Sequence, residues 1–377
     1  MKPSDLRGLI ALQLIPNLGA QRIKYLLQTV ETVSDVFNLS RADLFRIDGI
    51  GKSTAESILA FSDWAKVDDI LEKTEKIGAQ IVDQASAWYP KLLKQIFDPP
   101  LLLWVKGNPE VLDTQSIAIV GTRRPTHYGR DYCAKLTKQL LSAHVTIISG
   151  LAYGIDAVAH QTTVDDGGKT VAVLGSGVDR IYPSRHLNLA SKIIENGGAV
   201  MSEFPPGTKP DAQNFPVRNR VISGMSLGTL VIESGEEGGS MITARLALDQ
   251  NREVFAVPHS LQNSNGQGGN TLIQKGGAKL VKNAEDVLEE LRPAFDEHDP
   301  LAIRASESKV GPKWYEMELG DTEIEICQAL ESNGEHHLDD LAEKVNMSTG
   351  DLLVMLLNLE MQDCIEQKAG KMFKLKG

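Results

Sequence analysis

Cysteine is scarce. Cys133, Cys327 and Cys364 are the only three in 377 residues, they lie far apart, and no CxxC pair occurs. An odd count at that spacing suggests neither a disulfide framework nor a zinc site, and points to a reduced, cytoplasmic setting. Long hydrophobic runs are also missing. Nothing approaches the roughly 18 uninterrupted apolar residues of a membrane span. The opening MKPSDLRGLI soon meets Pro16 and Asn17 without a small-residue cleavage site, so it does not read as a signal peptide. There is no HExxH, no Walker A loop, no paired metal carboxylates and no Ser-His-Asp order. His127, His144, His160, His186 and His259 are scattered and read as structural. What remains is ordinary: 42% hydrophobic, 24% charged, 33 Gly and 16 Pro, which excludes a disordered chain, a collagen and a coiled-coil rod. At roughly 100–200 residues per domain, two or three domains are expected.

The net charge of −11 is unevenly spread. Residues 1–114 carry 13 basic and 15 acidic side chains, residues 115–292 carry 18 and 17, and residues 293–377 carry 8 and 18. The middle can therefore hold a local basic groove, whereas the last segment is a poor phosphate binder.

Residues 1–65 read as short helices. In LFRIDGIGKSTAESIL, Leu44 and Ile47 close one helix, Gly49-Ile50-Gly51 form a hairpin, and Ala55 and Ile58 lie on the next, a helix-hairpin-helix (SAM-like) pattern. IPNLGAQRIKYLL looks like a degenerate second copy. Such hairpins meet phosphate through helix-start N–H groups. With Asp48 in the turn and few basic neighbours, a helical packing domain that touches no DNA is the equal alternative. Residues 66–113 hold a strand-like run, a helix, a Pro-Pro break and an apolar strand, expected to pack on the edge of the strand-and-helix region after residue 113.

From 114 to 291 strand and helix alternate. Strand runs are 116–121, 145–149, 170–175, 199–204, 229–233 and 253–258, with helical patterns at about 128–143, 154–165, 186–196, 216–224 and 239–250. This predicts an α/β domain over 66–291 with a mostly parallel sheet covered on both faces, and ligand-binding loops beyond the strands' carboxyl ends. Residues 292–315 read as a polar linker, and 316–377 as three helices and a hairpin, the winged-helix order.

Five loops carry candidate chemistry. In the first, Gly121, Thr122, Arg123 and Arg124 follow a strand and suit phosphate. In the second, Ser149-Gly150 ends a strand and Asp156 starts a helix, placed to cap it or pair with Arg. In the third, Gly175-Ser176-Gly177 resembles a dinucleotide fingerprint, but Arg180 replaces its last glycine, which argues against NAD. Arg180, Tyr182 and Arg185 interleave charge and ring as a single strand requires. In the fourth, Arg218-Asn219-Arg220 opens a helix beyond Pro216. Burying two Arg there calls for anionic partners: a ligand, an internal network with Glu203 or Asp156, or both at once, with one Arg structural and one facing the ligand. In the fifth, Gly238-Gly239-Ser240 leads a helix carrying Thr243, with Glu233 at the preceding strand end, and GQGGNTLIQKGGA adds a glycine loop with Asn270.

Together IVGTRRPTHYG, SGLAYGIDAVAH, AVLGSGVDRIYP, SEFPPGTKPDAQNFPVRNRVISGMS, ESGEEGGSMITARLA and GGNTLIQKGGA resemble the DNA-processing protein A family, DprA or Smf, over nearly all of 115–281. The resemblance implies an extended Rossmann-like core that dimerises, binds and protects single-stranded DNA, and loads the recombinase RecA in natural transformation, with no cofactor and no catalysis. The family's glycine–hydroxyl–arginine motif falls on Gly121, Thr122 and Arg123, and its RNR segment on Arg218, Asn219 and Arg220. Some relatives place lysine directly after the third loop's Tyr-Pro, where this chain has Ser184 and then Arg185. The competing reading is an enzyme. Gly228-Thr229 followed by Glu233 resembles a segment of nucleotide phosphoribohydrolases on a related core, although Ser226-Leu227 stand where a double glycine would lead in.

Overall fold

A computed structural model of the chain describes residues 5–296, 319–331, 336–362, 364–368 and 371–375. Most of the expected linker, residues 297–315, lies outside them. The chain divides into two compact units, 1–294 and 295–377.

The first unit is organised by a nine-stranded sheet. Its strands are β1 (Gln80–Asp83), β2 (Leu102–Gly107), β3 (Ser116–Val120), β4 (Thr146–Ser149), β5 (Thr170–Val173), β6 (Ala199–Ser202), β7 (Gly228–Val231), β8 (Glu253–Ala256) and β9 (Lys279–Leu280), in the order β1-β2-β6-β5-β4-β3-β7-β8-β9. The seven strands from β6 to β9 pair in parallel; β1 and β2 add an antiparallel edge beside β6. The central strands are buried along their whole length, as their unbroken apolar runs require. All six expected strands form. β4 ends at Ser149 as expected, and the other five end one or two residues early, so their terminal residues leave the sheet as loops. From β3 the chain fills the sheet outward on one side through β4, β5 and β6, then returns to add β7, β8 and β9 on the other. The order therefore reverses between β3 and β7, where open α/β sheets leave a crevice for ligands.

Six helices precede β3 in the chain: α1 (Asp5–Leu14), α2 (Ala20–Gln28), α3 (Arg41–Leu44), α4 (Lys52–Leu59), α5 (Trp64–Lys76) and α6 (Lys91–Lys94). Two hairpins among them repeat with a 32-residue offset. Ile15, Leu18, Ile23 and Leu26 match Ile47, Ile50, Ala55 and Ile58, all buried. Asn17 and Gly49 both adopt left-handed φ, 61° and 76°, in the turns, and Gly19 and Gly51 both sit at the N-cap of the following helix. The suspected second copy is thus a true repeat. The helical region shares a core with the sheet through Leu102 and Trp104 of β2, and the Trp104 indole N–H donates to Thr74 Oγ1 at 3.1 Å. Five later helices pack against the sheet, α7 (His127–Ser142), α8 (Ile155–Asp165), α9 (Leu187–Glu195), α10 (Asn214–Gly224) and α11 (Gly239–Asp249), and of these α8, α10 and α11 line the crevice.

The second unit holds Asp321–Glu331, Leu338–Lys344 and Thr349–Met361 as helices, with strands His336–His337, Ile365–Lys368 and Met372–Leu375 in one small sheet. Ile326, Leu341, Leu356 and Phe373 fill its core. This is a winged helix whose third helix exposes Leu353, Val354 and Leu357.

Candidate nucleic-acid interface

At the β3/β7 reversal lies a cavity of about 900 Å³, within the ordinary range for ligand sites. Its wall is built by three loops and two helix starts. Gly121, Thr122, Arg123 and Arg124 follow β3, Ser234 and Gly235 follow β7, and the lining also includes Tyr182, Phe215, Arg218, Asn219, Ser240 and Thr243, with the Asp156 carboxylate beside Arg218.

Close main-chain packing fixes the first loop. Thr122 N donates to Glu233 O at 2.7 Å and Ile155 N donates to Thr122 O at 3.2 Å. Gly154, at φ 81°, starts α8 so tightly against Thr122 O that a Cβ there would overlap it. A Cβ at Gly121 would meet Ile155, and one at Gly129 would strike the Glu233 carboxylate. Arg123 and Arg124 are left exposed at the rim. Thr122 Oγ1 accepts from Arg124 N at 3.2 Å, leaving its own proton free to be donated.

Glu233 itself is buried. Its Oε2 accepts from Thr126 N at 2.9 Å and Thr126 Oγ1 at 3.1 Å, and its Oε1 from Asn263 Nδ2 at 3.2 Å. Oε2 thus holds the start of α7 while Oε1 holds the loop after β8, and Glu233 does not line the cavity.

Arg218 and Arg220 diverge. Two residues apart on a helix, side chains point to opposite sides. Arg218 is only 6% exposed; its Nη1 donates to Gly150 O at 2.7 Å and to Val173 O, and its Nε to Asn219 Oδ1 at 3.3 Å. A Cβ at Gly150 would collide with the guanidinium. Burial lowers its pKa to about 10, offset by the nearby Asp156 carboxylate, so it stays charged at neutral pH. Burial in turn raises the Asp156 pKa, opposed by Arg218 and by bonds from Gly150 N and Ala152 N. Arg220 faces away: its Nε pairs with Asp98 at 2.9 Å and its Nη2 with Glu203 at 2.6 Å. The internal network therefore takes Arg220, while Arg218 lines the cavity.

The fifth loop supplies the other anion-seeking groups. The start of α11 has no side-chain cap; Met241 N turns back to Gly238 O at 2.9 Å, while the Gly239 and Ser240 N–H groups bond to no protein group among the described residues and suit an anion. Thr243 is 2% exposed, lines the cavity, and has its hydroxyl bonded to no protein group among the described residues. Ser240 Oγ is taken up by Ser234 Oγ at 2.7 Å.

The remaining expected contacts lie elsewhere. Ser149 Oγ donates to Ile119 O inside the sheet, and Gly150 acts by accepting from Arg218. Gly175 packs against Phe215. Ser176 Oγ donates to Arg180 O at 2.6 Å, and Gly177 N donates to Thr208 O. Arg180 is exposed beside Asp179. Of that loop only Tyr182 lines the cavity, 44% exposed, its ring 5.6 Å from Phe215. Arg185 lines a separate hollow. His160 is a core residue. Thr170 Oγ1 donates to Ile147 O, so it accepts from His160 Nδ1–H at 2.8 Å, and burial pushes the imidazole pKa down to about 3. The residue sequence reasoning passed over is Phe215. Arg123 and Arg218 lie 5.9 and 6.0 Å from its ring centre, within cation–π range. An aromatic three positions before Arg218, on the same helix face, was the available signal.

Fold and site define a class: a Rossmann-like α/β protein with an arginine-lined crevice at its topological switch, carrying a helical-hairpin tandem and a winged helix in the same chain. Family models agree: DNA recombination-mediator protein A over residues 80–292, the DprA winged helix domain over 316–371, and a SAM-like helix-hairpin-helix tandem over 9–61. The chain belongs to the DNA-processing protein A family, DprA/Smf. It is 37% identical to protein Smf of Escherichia coli (strain K12) over 304 residues, 80% of this chain and 79% of that one. The DNA processing protein A structure from Streptococcus pneumoniae matches at TM-score 0.66 and 34% identity, over 76% of this chain and 97% of that one. The Helicobacter pylori protein, whose structure was described for its single-stranded DNA binding mode, matches at TM-score 0.51 and 30% identity, over 57% and 97%.

Proposed function

We propose that the crevice binds single-stranded DNA without regard to sequence, and that the protein processes DNA in transformation, protecting incoming strands and loading RecA recombinase onto them. One observation carries the binding reading. A nearly buried Arg218, an unpartnered Thr243 hydroxyl and an uncapped helix start converge on one cavity whose mouth holds Arg123, Arg124 and the exposed Tyr182. Guanidinium and N–H groups suit phosphate, and an exposed ring suits an unpaired base. The single-stranded DNA bound by the H. pylori relative supports the same reading. The protein works as a homodimer through its Rossmann-like domain, in the cytoplasm and without cofactor or catalysis. Against a hydrolase, both Glu233 oxygens are engaged by Thr126 and Asn263.

Fluorescence anisotropy with labelled oligo-dT, against a duplex of equal length over a salt series, tests this. The expected result is strand-selective binding that weakens steeply with salt. Equal affinity for the duplex would refute it.

The winged helix is assigned a docking or regulatory role. Its third helix, which enters the DNA groove in duplex-binding relatives of this architecture, here presents Leu353, Val354 and Leu357, within a segment of net charge −10. Deleting residues 316–377 will leave oligo-dT affinity within about twofold, since exposed acid contributes no phosphate contact. A loss of tenfold would overturn the assignment.

A further inference from the structure

The cavity is not isolated. Arg123 and Arg124 are shared with a second hollow of about 650 Å³, lined also by Arg130, Tyr153 and Gly154. Ala157 and Val158, in the first turn of α8, are shared between that hollow and a third of about 450 Å³, which holds Arg185, His186 and Lys192. Through these shared residues the three hollows adjoin in a row, from α11 past the loop before α7 and over α8 to α9.

The second and third hollows have a consistent chemistry. Among the described residues, no carboxylate lines the second or third hollow. Arg130, Arg185 and Lys192 make no ion pair among the described residues, although Arg7, Arg180, Arg220 and Lys73 on the same unit each pair with a carboxylate. Arg130 is steadied by one bond, from Nη1 to Pro125 O at 2.7 Å. Between the basic groups stands an aromatic platform. Tyr153 is 41% exposed, and its ring meets the His186 imidazole edge-on at 5.1 Å. His186 is in turn held by its Nδ1–H donating to Leu151 O at 2.8 Å. Unpaired cations either side of a braced ring reproduce the charge-and-stack arrangement of the main cavity.

We propose that the second and third hollows together form a second strand-binding subsite, in which Tyr153 stacks a base while Arg130 and Lys192 hold phosphates on either side of it, so that a strand leaving the main cavity runs across α8 toward α9. The inference rests on the single-stranded DNA reading of the main cavity and extends it to residues outside that cavity.

Strand length separates the two ideas. An oligo-dT of about 5 nucleotides fills the main cavity alone, whereas one of about 20 covers both subsites, given typical footprints of roughly 4–16 nucleotides per binding surface. Variants Arg130→Ala/Lys192→Ala and Tyr153→Ala alter exposed side chains, and circular dichroism checks that each is folded. The charge variant is expected to bind the long oligonucleotide at least tenfold more weakly, with a salt slope lower by about 1.4 for two lost contacts. Tyr153→Ala is expected to weaken it about tenfold with the slope unchanged. Both should bind the short one as the parent does. Unchanged binding of the long strand overturns the second subsite and leaves the cavity reading standing. Equal weakening at both lengths also overturns it. Absence of binding by the parent protein at either length defeats the cavity reading and this inference with it.

Discussion

Arg123→Ala will bind oligo-dT roughly 10- to 100-fold more weakly than the parent, at every base composition alike. Arg123 is exposed at the cavity mouth; among the described residues its side chain makes no hydrogen bond or ion pair, approaching the Phe215 ring at 5.9 Å and repelling the Arg218 charge. Its removal therefore leaves the fold alone and takes away one charge-assisted contact, a loss of ~1.5–3 kcal/mol. The salt slope should fall by about 0.7, the value for one phosphate contact on a single strand. Arg123→Lys keeps the charge but not the two-pronged guanidinium, so it should restore the slope while recovering only part of the affinity. Parent-like affinity in the alanine variant would remove Arg123 from the interface.

Arg220→Ala will instead act on stability. Its guanidinium joins Glu203 beyond β6 to Asp98 in the loop before β2, and Glu203 O also accepts from Gln13 Nε2 of α1 at 2.8 Å. The residue on α10 thereby ties the helical N-terminal region, the antiparallel edge and the crevice helix together. Removing it strands the buried Glu203 carboxylate, whose pKa burial already raises against the pull of Arg220. Breaking a buried pair in this way costs ~3–5 kcal/mol. Urea unfolding followed by tryptophan fluorescence reads the change, since Trp104 pairs with Ser202, next to Glu203. Adding Glu203→Gln to Arg220→Ala should recover part of the loss, because the orphaned charge is then gone. A loss below about 1 kcal/mol, typical of an exposed pair, would show that the contact is not the tie described.

Much of this was legible in the sequence, and what was not has a physical reason. The strand runs at 116–121 and 229–233 gave two walls of the crevice, because a fully buried parallel strand needs unbroken apolar residues. Their ends were misjudged by one or two residues, because Ile232 and Glu233 stay buried, and Gly121 half-buried, after leaving the sheet. The short β9 gave no signal at two residues with a basic Lys279. The hairpin repeat was visible as a suspicion in Gly19 and Gly51 and became certain only when the 32-residue offset matched buried positions. At the site, main-chain function read well: Gly121, Thr122 and the Gly238-Gly239-Ser240 lead-in all came to the cavity. Side-chain destination read poorly. A split of RNR into one structural and one ligand-facing arginine is open in the sequence, but which arginine takes which part follows only from the way α10 turns them apart, and Ser149 and Ser176 are absorbed by nearby carbonyls that sequence does not reveal.

The glycines at 121, 129, 150 and 154 act as the gauge of the site. At each, a single added methyl would push against the Ile155, Glu233 or Arg218 side chain or the Thr122 carbonyl, so the spacing of the gripping groups is set by close packing on bare glycine backbone. Grip strength is set separately, by exposed residues such as Arg124 and Tyr182 that touch none of those contacts. The two properties can therefore be altered independently: affinity is retuned at the rim by ordinary substitutions, while the shape of the cleft is handed on unchanged.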